Sequence, residues 1–226
     1  MTDTTNDTTN DTTLPTQIRF NRLLLTGAAG NLGQQLRPRL KRWCTTLRLS
    51  DRADLGSAAA GEELVSADLG DAAAVHGLLD GVDAVVHMGG ISTEQAWSAI
   101  LDANIRGMVH LYDAARAHGT KRIVFASSNH VTGFYRQDQV VSPRDPIRPD
   151  GLYGLSKAFG EGLAQLYWDR FGIETVSLRI GSSFPAPRDR RMLATYLSYD
   201  DAERLVAAAL TAPVVGHSII YGMSDN

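Results

Sequence analysis

The chain has 226 residues, 43% of them hydrophobic, enough to bury the core of one domain of ordinary size. With 22 Lys and Arg against 25 Asp and Glu its net charge is −3, so neither nucleic acid nor an anionic membrane surface is expected as a partner. A single cysteine, Cys44, excludes an internal disulfide and fits a reducing, cytoplasmic compartment, and the six histidines show no metal-ligand spacing. No metal is expected, and no apolar run approaches the roughly 18 residues of a membrane span.

Residues 1–16, MTDTTNDTTNDTTLPT, contain eight Thr, three Asp and two Asn and almost nothing apolar. Such a segment cannot offset its ordering entropy and is expected to be a disordered tail, without the basic and apolar regions of a secretory signal. Residues 17–226 are expected to form a single domain. The apolar run RLLLTG (22–27) leads into a helical pattern over 32–43, where Pro38 removes one backbone donor. Strands are predicted at 46–51 and 63–69, then a helix at 71–81 with Val75, Leu78 and Leu79 on one face, and a strand at 83–90. A long helix over about 94–118, a strand at 121–128, a helix at 152–172 and a strand at 174–181 continue the alternation. Residues 199–226 read as one more helix and strand. Continuous apolar strands alternating with helices predict an α/β fold, a parallel sheet covered on both faces. Short right-handed connections make it doubly wound.

Gly27, Gly30 and Gly33 stand where the first strand turns into the first helix. A glycine loop there lets a pyrophosphate approach the backbone of Gly30, Asn31, Leu32 and Gly33, and the helix N-terminus adds free N–H groups and positive dipole. The spacing is G-x-x-G-x-x-G, which a structural turn alone would also explain. Asp51, 18 residues after Gly33 at the end of the second strand, strengthens the cofactor reading. An acid there accepts both ribose hydroxyls and repels a 2′-phosphate, favouring NAD over NADP, although the neighbouring Arg52 partly offsets that repulsion. Asp68 and Leu69 are expected beside the adenine, and Met88, Gly89 and Gly90 offer a second open stretch of backbone. Ile180, with Asn104, Tyr153 and Lys157, completes the expected cofactor contacts.

Tyr153 and Lys157 lie four residues apart at the start of a helix and so share one face. A phenol of pKa near ~10 is a poor base at neutral pH, and a nearby ammonium lowers that value by stabilising the phenolate. Ser128, at the end of the fifth strand, is placed to hydrogen-bond the reacting hydroxyl in the same crevice, and Asn104 to hold a proton-relaying water near Lys157. A half-buried tyrosine beside a solvated lysine would have the same spacing. The serine-bearing strand end and the glycine loop favour catalysis.

TGAAGNLG (26–33), Asp51, ADL (67–69), HMGG (87–90), FASSNHVTGFY (125–135) and YGLSK (153–157) resemble the extended short-chain dehydrogenase/reductase superfamily. Within it, GGIS (89–92), ASSNH (126–130), RPDGLYGLSK (148–157) and RIGSSFPAPRDRRML (179–193) are similar to the uronate dehydrogenases, from about residue 20 onward. The resemblance implies an NAD-binding Rossmann fold and NAD-dependent oxidation of the C1 hydroxyl of D-glucuronate or D-galacturonate to an aldarolactone. It implies Tyr153 as general base, Lys157 lowering its pKa and Ser128 orienting the substrate hydroxyl. It further implies that Ser92, Asn129, His130 and Ser182 hydrogen-bond the sugar, and that Arg191 binds the uronate carboxylate. Arg188 and Arg190 share that basic loop, and on charge alone the loop would be a solvated surface. Substrate-binding segments are then expected at about 182–200. Members of the family continue past the position of YGMSDN (221–226), so the small C-terminal substrate-binding part is expected to be truncated, and a homo-oligomer is expected. The rival readings are a nucleotide-sugar epimerase or dehydratase, a neutral aldose dehydrogenase, and a non-catalytic NAD sensor.

Overall fold

A computed structural model of the protein describes residues 19–225, and the tail expected over 1–16 lies outside the described residues. Seven parallel strands form one sheet in the order β3-β2-β1-β4-β5-β6-β7: β1 Phe20–Thr26, β2 Cys44–Asp51, β3 Glu62–Ser66, β4 Ala84–His87, β5 Arg122–Ser128, β6 Glu174–Ile180 and β7 His217–Gly222. The central strands are apolar throughout because both of their faces are covered. Leu23 and Leu25 of β1, Val86 of β4 and Val124 of β5 pack on one face beneath α1 (Asn31–Leu40) and α7 (Tyr199–Thr211). Leu24, Val85, Ile123 and Phe125 point the other way, against α2 (Ala72–Leu78), α4 (Gly107–His118) and α5 (Leu152–Phe171). The period-2 alternation of one strand therefore feeds two separate cores, which makes the sheet doubly wound.

The departures from the predicted elements have local causes. β3 ends at Ser66 and β4 at His87, short of the runs read from sequence, so Ala67–Leu69 and Met88–Gly90 are loops at the carboxyl edge of the sheet. Pro38 is tolerated inside α1, which passes into a 3₁₀ turn over Lys41–Trp43. The long helix starts at Trp97 as the short α3 (Trp97–Ile100) and widens into a π-helical stretch, Leu101–Arg106, before α4. α6, Arg190–Thr195, was not anticipated: it has no buried residue and hence no apolar periodicity to read. Asp189 caps it, accepting from the Met192 N–H at 2.8 Å.

Candidate active site

In a parallel sheet every strand ends on the same side, and the order reverses between β1 and β4, where the crevice of such folds opens. A cleft of about 620 Å³ lies along that edge. Every residue predicted to contact cofactor or substrate lines it, with the exception of Asn104.

The glycine loop forms its floor. Gly27 has a φ of +68°, and a Cβ on it would stand 2.6 Å from the Met88–Gly89 backbone. A Cβ on Gly33 would stand 2.0 Å from the Gly27 carbonyl oxygen. These two glycines are therefore demanded by the chain's own packing of α1 and β4 against β1, before any ligand is considered. Gly30 is exposed to the cleft and begins α1 with no side-chain cap and no acid in the first turn, which leaves the helix N-terminus open to an anion. The Asn31 side chain is committed elsewhere: its amide donates to the Ser183 carbonyl at 2.8 Å and accepts from the Tyr199 hydroxyl at 3.0 Å. Asn31 thus ties the glycine loop to the far wall. Asp51 sits at the tip of β2, where Oδ2 accepts from the Ala29 N–H at 3.1 Å. Arg52 leans 3.4 Å from Asp68, so the guanidinium beside Asp51 is partly engaged by a second acid on the same side of the cleft.

Asn104 lies behind the wall. Its Oδ1 accepts from the Ile91 N–H at 2.7 Å, and its Nδ2 donates to the Ile91 carbonyl at 3.0 Å and to Ser156 Oγ at 2.9 Å. With the amide used in this way, Asn104 holds the loop after β4 to α5, and Ala103 takes the neighbouring place on the cleft surface. The π-helical widening carries this residue.

Tyr153, Lys157 and Ser128 are brought together at 8%, 5% and 4% exposure. The helical spacing places Lys157 Nζ 5.7 Å from the Tyr153 ring centroid and 5.0 Å from that of Phe125. Among the described residues Lys157 has no carboxylate partner. Burial pushes its ammonium down to about 8, and burial raises the Tyr153 phenol above its ordinary value while hydrogen bonding with Ser128 works against that rise. Desolvation thus drives both groups toward their neutral forms, and at Tyr153 it outweighs the lowering of the phenol expected from sequence. His130 abuts the Tyr153 ring edge-on, with centroids 5.5 Å apart, and its Nδ1 is 2.8 Å from the Asp150 carboxylate.

The opposite wall comes from residues 182–197. Ser182 pairs in parallel with Tyr196, its N–H donating to the Thr195 carbonyl at 2.7 Å, which folds α6 over the cleft. This placement separates the three arginines of the basic loop. Arg191 lines the cleft, Arg188 stacks 4.3 Å from the Phe184 ring centroid, and Arg190 is not on the wall.

The profile of the NAD dependent epimerase/dehydratase family matches residues 23–204. The chain belongs to that family. Within the family it is 58% identical over 212 residues to a uronate dehydrogenase of Pseudomonas putida, covering 93% of this chain and 79% of the relative. It is 52% identical over 205 residues to one from Agrobacterium fabrum, covering 91% and 77%. A crystal structure of uronate dehydrogenase from Agrobacterium tumefaciens, a mutant complexed with NAD, superposes with a TM-score of 0.90 at 50% identity over 92% of this chain and 78% of that one. The family's Rossmann fold and NAD dependence account for the doubly wound sheet and the open helix N-terminus in the cleft.

Sequence reasoning passed over Glu94, Asp150, Thr93 and Phe184, all of which border the cleft or its side recess. Asp150, two residues ahead of α5, does not cap the helix and instead meets the His130 imidazole 20 residues away in the chain, so its role carried no local signal. Glu94 carried none, because its partners are 58 and 59 residues away.

Proposed function

We propose that this protein oxidises the C1 hydroxyl of a hexuronic acid, D-glucuronate or D-galacturonate, to an aldarolactone with NAD as the oxidant. The observation that carries the reading is Arg191, a guanidinium without an ion pair among the described residues, on the wall of the cleft that also holds Ser128, Tyr153 and Lys157. A planar guanidinium grips a carboxylate bidentately and so fixes which carbon faces the reacting groups.

The uncapped first turn of α1, the Met88–Gly90 backbone and the Asp51 carboxylate fit the pyrophosphate, nicotinamide side and adenine ribose of NAD, with Asp51 disfavouring a 2′-phosphate. When bound, NAD supplies the electron-poor ring that takes the hydride leaving C1. Ser128 orients the C1 hydroxyl, and the Tyr153 phenolate takes its proton. The Lys157 ammonium stabilises the phenolate inside the buried pocket. Ser92, Asn129, His130 and Ser182 share the remaining sugar hydroxyls, and the segment at about 182–200 acts as the substrate-binding part.

A cytoplasmic location is part of the proposal, supported by the single, buried Cys44, and no helix among the described residues is long and apolar enough to cross a membrane. So is a homo-oligomer, supported by the exposed Leu155, Phe159 and Leu166 along α5.

The test mixes the protein with NAD and D-glucuronate or D-galacturonate, with glucose as control, and follows NADH absorbance. Turnover of the uronates alone is expected, with Arg191→Ala raising the uronate KM and Arg190→Ala leaving it unchanged. Equal turnover of glucose, or none by protein that binds NAD, would overturn the reading.

A further inference from the structure

The loop that follows β4 carries Ser92, and α5 carries Tyr153 and Lys157. If these groups act on one sugar ring, as the proposed function requires, their backbones must hold a common register, because small misplacements of reacting groups cost large factors in rate. α5 begins without a cap of its own: its N-cap is Gly151 and its first turn contains no acid. Glu94 supplies the missing acceptors from the loop. Its Oε1 accepts from the Leu152 N–H at 3.1 Å and its Oε2 from the Tyr153 N–H at 2.9 Å. A carboxylate is favoured there by both the free N–H groups and the helix dipole. The approach is close: a Cβ on Gly151 would stand 2.4 Å from Glu94 Oε2.

A second tie lies on the other side of Ser92. Asn104 clamps both backbone polar groups of Ile91 and donates to Ser156 Oγ, which in turn donates to the Tyr153 carbonyl at 2.7 Å. Ser92 is therefore held between two links, and both end on the backbone of Tyr153. A side recess of about 300 Å³ bordered by Ser92, Glu94, His130, Asp150 and Tyr153 lies between loop and helix.

We infer that Glu94 is a positioning residue whose carboxylate locks the Ser92 loop to the first turn of α5, so that the sugar-binding serine and the base move as one body. Among the described residues the glycine loop and Asp51, which carry the pyrophosphate and ribose contacts of the proposed function, have no tie to Glu94, so the larger part of cofactor binding does not depend on it.

The experiment compares the full chain with Glu94→Ala and Glu94→Gln by amide hydrogen exchange, NAD titration and uronate kinetics. In Glu94→Ala, exchange is expected to rise together in peptides covering 88–96 and 151–156 and to stay unchanged over 26–36. NAD affinity is expected to hold within about twofold, while kcat falls by roughly 10–100-fold. Glu94→Gln, which keeps one carbonyl acceptor, recovers part of that loss. Combining Glu94→Ala with Ser92→Ala should cost less than the product of the two single losses, since both break the same unit. Exchange rising in only one segment or throughout the sheet, NAD affinity lost in step with activity, or an unchanged kcat would each overturn the inference. Should the parent chain not turn over uronates, the proposed function fails by itself, and hydrogen exchange still decides the role of Glu94.

Discussion

At the scale of one residue, the role proposed for Lys157 opposes stability. A solvated lysine ordinarily titrates near 10.5, and burial among aromatic faces pushes this one down to about 8. The unfolded chain therefore holds the proton more tightly than the folded one, and the charged form costs the fold about 3 kcal/mol at neutral pH. Stability rises with pH between about 8 and 10.5, where the folded protein has released the proton and the unfolded chain has not. Lys157→Met keeps the buried volume without the charge. It is expected to lower kcat by orders of magnitude and yet to raise the free energy of unfolding at pH 7 by up to about 3 kcal/mol, a gain that shrinks toward pH 10. Urea titrations at the two pH values check this; a less stable variant at pH 7 would mean that the lysine is not held as a buried charge. Ser128, Tyr153 and Lys157 were legible in the sequence because strand end and helix spacing are local signals. Glu94 and Asp150 were not, because what they do is set by the side chain that folding brings to them: a helix start 58 residues away for one, an imidazole for the other.

The same distinction runs through the elements. The alternation of apolar strands with helices was readable because burial imposes periods of 2 and 3.6, and the seven strands follow it. The ends of β3 and β4 were not, since the apolar alternation of Val65, Ala67 and Leu69 and the apolar run ending in Met88 continue past the strands into loops that border the cleft. The glycine loop was found by its spacing, but its three glycines do different work. Gly33→Ala drives a methyl into the Gly27 carbonyl and must push α1 off β1, at an expected cost of about 2–3 kcal/mol or more. At Gly30 the nearest contact of an added Cβ is 3.2 Å, which a small shift relieves. Gly30→Ala is therefore expected to fold with a loss of under about 1 kcal/mol while weakening NAD by roughly tenfold, because its methyl narrows the mouth of the open helix N-terminus. Thermal unfolding and NAD titration of the two variants separate the roles. If Gly33→Ala melted with the parent, the close packing of α1 on β1 would be refuted.

For the molecule as a whole, the carboxyl edge of the sheet couples acid stability to the site. His87 ends β4 beneath the cleft, hydrogen-bonded to Thr26 Oγ1 at 2.7 Å and stacked 5.9 Å from Phe125. Burial first, and then the charge of Lys157, push its imidazole down to about 3 from an ordinary 6.5. The folded protein keeps His87 neutral where the unfolded chain takes up a proton, so stability is full above about 6.5 and is lost progressively as pH falls toward 3. Between pH 7 and pH 5 this one group accounts for about 2 kcal/mol. Asp201, held near 2 by hydrogen bonds from Ser224 and Ser198 and by Arg204, adds a loss of the same sign only below about 4, outside that interval. Because both cores pack on the one sheet that carries His87, the loss should appear in cooperative unfolding of the whole domain. Unfolding free energies from urea titrations at pH 7 and pH 5 are expected to differ by about 2 kcal/mol more in the parent than in His87→Asn. Equal pH dependence in the two proteins would show that His87 titrates normally, and with it that the lysine's charge does not reach the end of β4.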